Sequence, residues 1–192
     1  MAPRSERIVG ISCVTVGAGP RGDTDMLARV AIVGFDGNTI LDVYVAPTSP
    51  VTDYREAKTG IKAAYLHSSR AQNIRTVYTT VCNILRNKVV VGYSLWLDFA
   101  VLGIQHPAKD TRDNALYLPY RTALRTQHMA GLKTLAWRFL GRNISECYMD
   151  PIEHARVAVD LYRTYMTDWE GSIASRKWPC DLPPGHFSSY YK

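Results

Sequence analysis

The sequence predicts a mixed α/β domain in which an antiparallel meander leads into parallel strands alternating with helices. Three observations predict it. Three runs rich in β-branched and apolar residues stand ahead of Pro47, and strand-forming side chains of that kind suit a pleated, half-buried surface. A segment beginning at Ser68 then repeats apolar residues at three- and four-residue spacing, the helical period. A short apolar run follows, and two further helical patterns close the chain. The order βββαβαβαα implies an antiparallel edge joined to parallel strands, with helices packed on the faces.

The first three runs are "RIVGISCVTVG", "LARVAIVGF" and "NTILDVYVAP". Between the second and third, the Asp36-Gly37 step is a tight-turn signal. "GAGPRGDTDM" between the first and second reads as a glycine-rich loop. It lacks the Gly-Lys-Ser/Thr ending of a phosphate-binding P-loop. In "SSRAQNIRTVYTTVCNILRN", Ile74, Val77, Tyr78, Val81, Ile84 and Leu85 form one apolar face, with Ser69 as its expected cap. "KVVVGYS" predicts a buried strand and "LWLDFAVLGI" a helix. "GLKTLAWRFLG" and "PIEHARVAVDLYRTYMTDWEGS" predict two amphipathic helices, the second with Pro151 near its start and Gly171 near its end. The expected division is a domain over 1–171 and a tail over 172–192, in which "WPCDLPPGHFSSYYK" shows neither helical nor strand period.

A chain of 192 residues suits one domain, and 46% hydrophobic with 21% charged residues argues against disorder. No apolar run approaches the roughly 18 residues of a membrane span, so no membrane association is expected. "MAPRSERIVG" is not followed by the apolar stretch of a signal peptide. Cys13, Cys82, Cys147 and Cys180 are scattered without a Cys-x-x-Cys pair, which predicts a reducing compartment and neither a disulfide framework nor a zinc site. "NIS" at 143–145 reads as an accidental match to a glycosylation acceptor. A net charge of +6 favours an acidic partner, nucleic acid being the commonest.

One stretch carries more than pattern. "YVAPTSPVTDYREAKTGI", Tyr44 to Ile61, resembles the segment after the third strand of DEDDh-type 3′→5′ exonucleases, DnaQ-like enzymes, in the branch of nucleolar and interferon-induced RNA exonucleases. The resemblance continues in order through "VVVGYSLWLDFAVLGIQHP", "TRDNALYLPY", "GLKTLAWRFLG" and "HARVAVDLY", from about Ile8 to Trp169. It implies a ribonuclease-H-like mixed sheet of three antiparallel strands plus parallel strands, and an intracellular, nuclear or nucleolar setting.

The resemblance also implies two divalent cations about 4 Å apart, held by carboxylates because hard cations take oxygen ligands. The family's Asp-x-Glu falls on Ser12 and Val14, its second Asp on Asp98, its general-base His on Met149 and its last Asp on His154. Asp150 and Glu153 each lie one residue from a replaced position, and one helical residue turns a side chain by about 100°. The expectation is therefore no metal, no cofactor, no catalytic residue and no enzyme: a pseudo-exonuclease. Asp98 is read as an acid bonded at a helix start, and Asp113 of "TRDN" as structural.

Two binding roles remain open, and a third reading keeps weak, non-standard 3′→5′ exonuclease activity with one metal at Asp98. The first role is binding of single-stranded RNA or DNA through Arg21, Arg55, Lys58, Arg125, Lys133 and His154, with Tyr93 and Trp96 stacking on bases. The second is a protein-interaction scaffold or homodimer anchored by Trp178, Phe187, Tyr190 and Tyr191. The scaffold with auxiliary nucleic-acid contact is the favoured expectation.

Overall fold

The computed structural model describes residues 2–192. Strands β1 (Ile8–Ala18), β2 (Thr24–Gly34) and β3 (Thr39–Tyr44) form the antiparallel meander. The turn between β2 and β3 closes where expected: Gly37 takes φ +82°, its N–H donates to Gly34 O at 3.0 Å, and Asp36 accepts from the Asn38 N–H. A short strand β4 (Val51–Asp53) pairs with the end of β1. Strands β5 (Val89–Gly92) and β6 (Thr111–Asp113) add in parallel beyond β1, giving the order β3-β2-β1-β5-β6. The mixed sheet with helices on its faces is the fold class read from the sequence.

Two short helices, α1 (Glu56–Thr59) and α2 (Ala63–Leu66), follow β4. Helix α3 (Ile74–Leu85) buries Val77, Val81 and Leu85, spaced by four. Its cap is Asn73, whose side chain accepts the Arg75 N–H at 2.9 Å, not Ser69. The chain from Ser69 cannot yet be helical, because Gln72 exchanges backbone hydrogen bonds with Tyr44 and Ala46 beside the end of β3. Next come α4 (Leu95–Leu102), α5 (Leu118–Leu124), α6 (Leu132–Leu140) and α7 (Pro151–Ala174). No described helix is long and apolar enough to cross a membrane.

The sheet separates two cores because alternate strand residues face opposite sides. Ile8, Val89 and Val91 pack with Val157, Leu161 and Trp169 of α7, where Trp169 stacks on Tyr117 at 3.9 Å between ring centroids. Val9, Ile11 and Val90 pack on the other side with Val77 and Val81 of α3 and Phe99 of α4. Helix α7 crosses β1 at Gly10, where a Cβ would stand 2.5 Å from Val159 Cγ2 and 2.8 Å from the Ala155 carbonyl oxygen. That close approach sets the first turns of α7 against β1, and it fixes the side chains described next.

The segment after α7 lies against the domain. Cys180 forms a bridge with Tyr117 and Tyr191 one with His106, while Arg121 pairs with Asp181 at 2.8 Å. Tyr191 packs on Phe99 at 5.7 Å, and Phe187 and Tyr191 cover Trp96 and Leu116.

Candidate nucleic-acid cleft

A cleft of ≈ 800 Å³ opens where β1, the start of α4, helix α6 and the start of α7 converge. Ser12, Val14, Asp98, Met149 and His154, five residues scattered over the chain, all line it. β1 presents Ser12 and Val14 at alternate positions, on one face of the strand.

Asp98 arrives through an unusual helix start. Ser94, in the left-handed region at φ 56°, gives α4 no side-chain cap. Asp113 at the end of β6 supplies one instead, accepting the N–H groups of Ser94 at 2.9 Å, Leu95 at 2.6 Å and Ala115 at 2.9 Å. Asp113 thus orients the turn that carries Asp98, and the Asp98 carboxylate accepts the Cys13 N–H on β1 at 3.0 Å. Both acids are buried, and burial is the main cause that raises both carboxyls. The Cys13 thiol is pushed up by burial, then by the Asp98 charge.

This burial gives a pH dependence with a definite sign. The Asp113 carboxyl is raised from 3.8 to about 7, so the folded state holds its proton more tightly than the unfolded chain does. Its contribution to stability is full below 3.8 and is lost as pH rises through about 7. Urea unfolding of the native chain, compared with Asp113→Asn, is expected to show that loss in the native chain alone. Parallel pH profiles for the two would refute it.

His154 lies in the first turns of α7, begun by Asp150, whose side chain accepts the Ile152 N–H, and by Pro151. Its Nε2 sits 2.6 Å from Ser145 Oγ. Ser145 is 7% exposed and in the left-handed region at φ 53°. Its N–H donates to Glu153 Oε2 at 2.8 Å, and its carbonyl accepts from Lys133 Nζ at 2.9 Å. Burial holds the His154 imidazole below its ordinary range, with Lys133 acting in the same direction against Glu153 and Asp150.

The expected nucleic-acid contacts divide sharply. Arg55, Lys58, Tyr93, Lys133 and His154 line the cleft. Tyr93 is tied there by its hydroxyl, which donates to Ala130 O at 2.9 Å. Arg55 is partly spent: its guanidinium holds Thr15, Asp25 and the Gly22 carbonyl. Arg21, paired with Asp23, and Arg125, at the end of α5, are not among the lining residues. Trp96 is 5% exposed and packed with Ala115 and Leu116, so its ring cannot receive a base. Of the tail aromatics, Phe187, Tyr190 and Tyr191 are half-buried against their own domain, and Trp178 is exposed. Ser145 escaped the sequence reading; its only signal was the "NIS" match, and its hydroxyl is the one bonded to His154.

The donors do not fit a pair of divalent cations. Among the described residues no three His, Cys, Asp or Glu side chains come close enough to hold a metal ion. Asp150 caps α7 and lies 3.7 Å from Arg29, Glu153 holds the Ser145 amide, and Asp25 is paired with Arg55 at 2.6 Å. Two hard cations need several carboxylate oxygens, and Ser12 and Val14 bring none.

Comparison with known proteins gives the relatives. Mouse RNA exonuclease 4 is 34% identical over 92% of this chain and 40% of its own length. Human apoptosis-enhancing nuclease is 35% identical over 93% of the chain and 55% of its own. A DEDDh-like exonuclease family fits this chain. No family model matches it. Among solved structures, the Saccharomyces cerevisiae Pan2 pseudoubiquitin hydrolase-RNA exonuclease module superposes with a TM-score of 0.74, at 28% identity over 98% of this chain and 31% of that one. The same module in complex with AAGGA RNA gives 0.73 at 29% identity, over 91% and 32%. The chain spans about half the length, or less, of the curated relatives it matches.

These relatives correct one expectation. A chain that is not an enzyme does not agree with relatives called RNA exonuclease and nuclease, which point to enzymatic activity. The family points to a nucleic-acid-related function. The replaced side chains bear on a different question, the donors with which a hydrolytic step in this chain could run.

Proposed function

We propose that this chain handles single-stranded RNA, which enters the cleft between β1 and the starts of α4 and α7. The observation that carries the reading is the convergence, in one cleft, of the five family positions with Lys58, Lys133, Arg55 and the Tyr93 ring. Cations along a groove attract the phosphate backbone, and an aromatic ring offers a face to an unstacked base. The reading also draws on the Pan2 module, which binds short RNA oligomers. A nuclear or nucleolar setting belongs to the same proposal.

Anisotropy of a labelled single-stranded RNA octamer tests it. With three phosphate contacts, raising salt from about 50 to about 200 mM should weaken binding roughly 20-fold. Lys58 is exposed and is held through its backbone, its N–H donating to the Arg55 carbonyl and its own carbonyl accepting from the Met149 N–H. Lys58→Glu should therefore leave the fold intact and weaken binding by about tenfold. No binding at the lower salt concentration sinks the reading. Incubating the same RNA with the protein and following its length on a gel reports any turnover.

A further inference from the structure

Resting on that RNA reading, we propose that a phosphate of the strand is bound directly by Lys133 and the Ser145–His154 pair, with no divalent cation between protein and phosphate. In a cleft floored by four carboxylates, cations must offset the repulsion between protein and phosphate. Here that floor carries a hydroxyl at Ser12, an isopropyl group at Val14 and an imidazole at His154. The acid that remains, Asp98, has one oxygen taken by the Cys13 N–H. The reason to bring in a metal has gone, along with the ligands to hold it.

What takes its place comes from two helices that meet at one residue. Lys133, from α6, and His154, from α7, both reach Ser145, the first at its carbonyl (2.9 Å) and the second at its hydroxyl (2.6 Å). An ammonium has three donors, so Lys133 keeps two beyond the one given to Ser145. The ammonium and the Ser145–His154 pair thus stand together at the cleft wall, the combination of charge and hydrogen-bond donors that phosphate oxygens accept.

The test compares binding of the labelled RNA octamer in EDTA and in Mg²⁺ or Mn²⁺ at matched ionic strength. The expected result is a Kd that changes less than about twofold between the two conditions. Lys133→Gln, which removes the charge but keeps an amide donor, should weaken binding about fivefold in both and reduce the salt slope by about 0.7, the loss of one single-strand phosphate contact. Thermal melting confirms that this variant is folded, and His154→Gln provides a second variant, expected to weaken binding in both conditions while leaving the salt slope unchanged, because burial disfavours the charged imidazole. Binding that falls tenfold or more in EDTA overturns this inference and leaves the RNA reading standing. Absence of binding in both conditions removes the RNA reading as well. Stoichiometric Mn²⁺ uptake by calorimetry, lost in Asp98→Ala, also overturns the inference.

Discussion

Ser12→Asp, Val14→Glu and His154→Asp, combined with Met149→His, should create a Mn²⁺ site beside Asp98. They should also give metal-dependent shortening of RNA that exceeds, by at least about a thousandfold, that of the same variant carrying Asp98→Ala. The geometry favours the first half of this result. Positions 12 and 14 lie on one face of β1, position 154 on the α7 turn held against that strand, and all of them line the cleft with Asp98. The catalytic half needs a base as well as cations. A positioned general base contributes about 100- to 10,000-fold, and the cations several kcal/mol of charge stabilisation in addition. Val14 is 2% exposed and packs with Val16, Ile61 and Leu66, so a glutamate there should destabilise the apo protein by roughly 1–3 kcal/mol. Mn²⁺ should recover that loss, because a ligand bound only by the folded state raises its stability. Calorimetric titration, melting with and without Mn²⁺, and digestion of 5′-labelled RNA report the three effects separately. Adding Asp98→Ala should abolish the gained activity. A folded fourfold variant that binds Mn²⁺ no better than the native chain would show that the cleft is misshapen for metals, beyond its missing side chains.

The parts of this architecture that rest on long periodic runs are legible in the sequence. β1, β2 and β3 announce themselves because β-branched residues fill both faces, and α3 and α7 because their apolar stripes persist over several turns. Short elements were not legible. α5, α1 and α2 run for seven, four and four residues, too few for a period to emerge. Gly171 was a reasonable stop for α7, yet the helix continues to Ala174. One glycine costs about 1 kcal/mol, while Trp169 before it is buried in the core and Ile173 after it packs against that core. The five family positions could be found through motif alone. The cradle around Ser145 could not, since Lys133, Glu153 and His154 meet there through the packing of α6 and α7, which leaves no spacing in the chain. The packing of the tail was hidden for a related reason. Its aromatics resembled interface anchors, and the surface that receives Phe187, Tyr190 and Tyr191 is the chain's own.

Glu170→Ala is the single substitution expected to cost most stability, about 3–5 kcal/mol of the roughly 5–15 that a domain possesses. Arg112 and Glu170 are 3% and 8% exposed and form a two-pronged pair, Nε to Oε1 at 2.6 Å and Nη2 to Oε2 at 3.1 Å. Tyr162 also donates its hydroxyl to Oε1 at 2.9 Å, while Arg112 Nη1 donates to the carbonyls of Lys109 and Thr111. Removing the carboxylate leaves a guanidinium, which cannot shed its proton, buried without a counter-charge. Glu170→Gln keeps the volume and an acceptor for Tyr162, and should cost less than the alanine. Replacing both partners by apolar residues, Arg112→Met with Glu170→Leu, should restore much of the loss, because neither charge then has to be desolvated. The pair joins β6 to the far end of α7, the strand whose Asp113 caps α4 and the helix whose first turns carry His154. Glu170→Ala should therefore lower the urea midpoint while leaving the RNA affinity of the folded fraction within about twofold. A cost below about 1 kcal/mol would mean that water reaches Arg112 after truncation and that the pair is not sealed in the core.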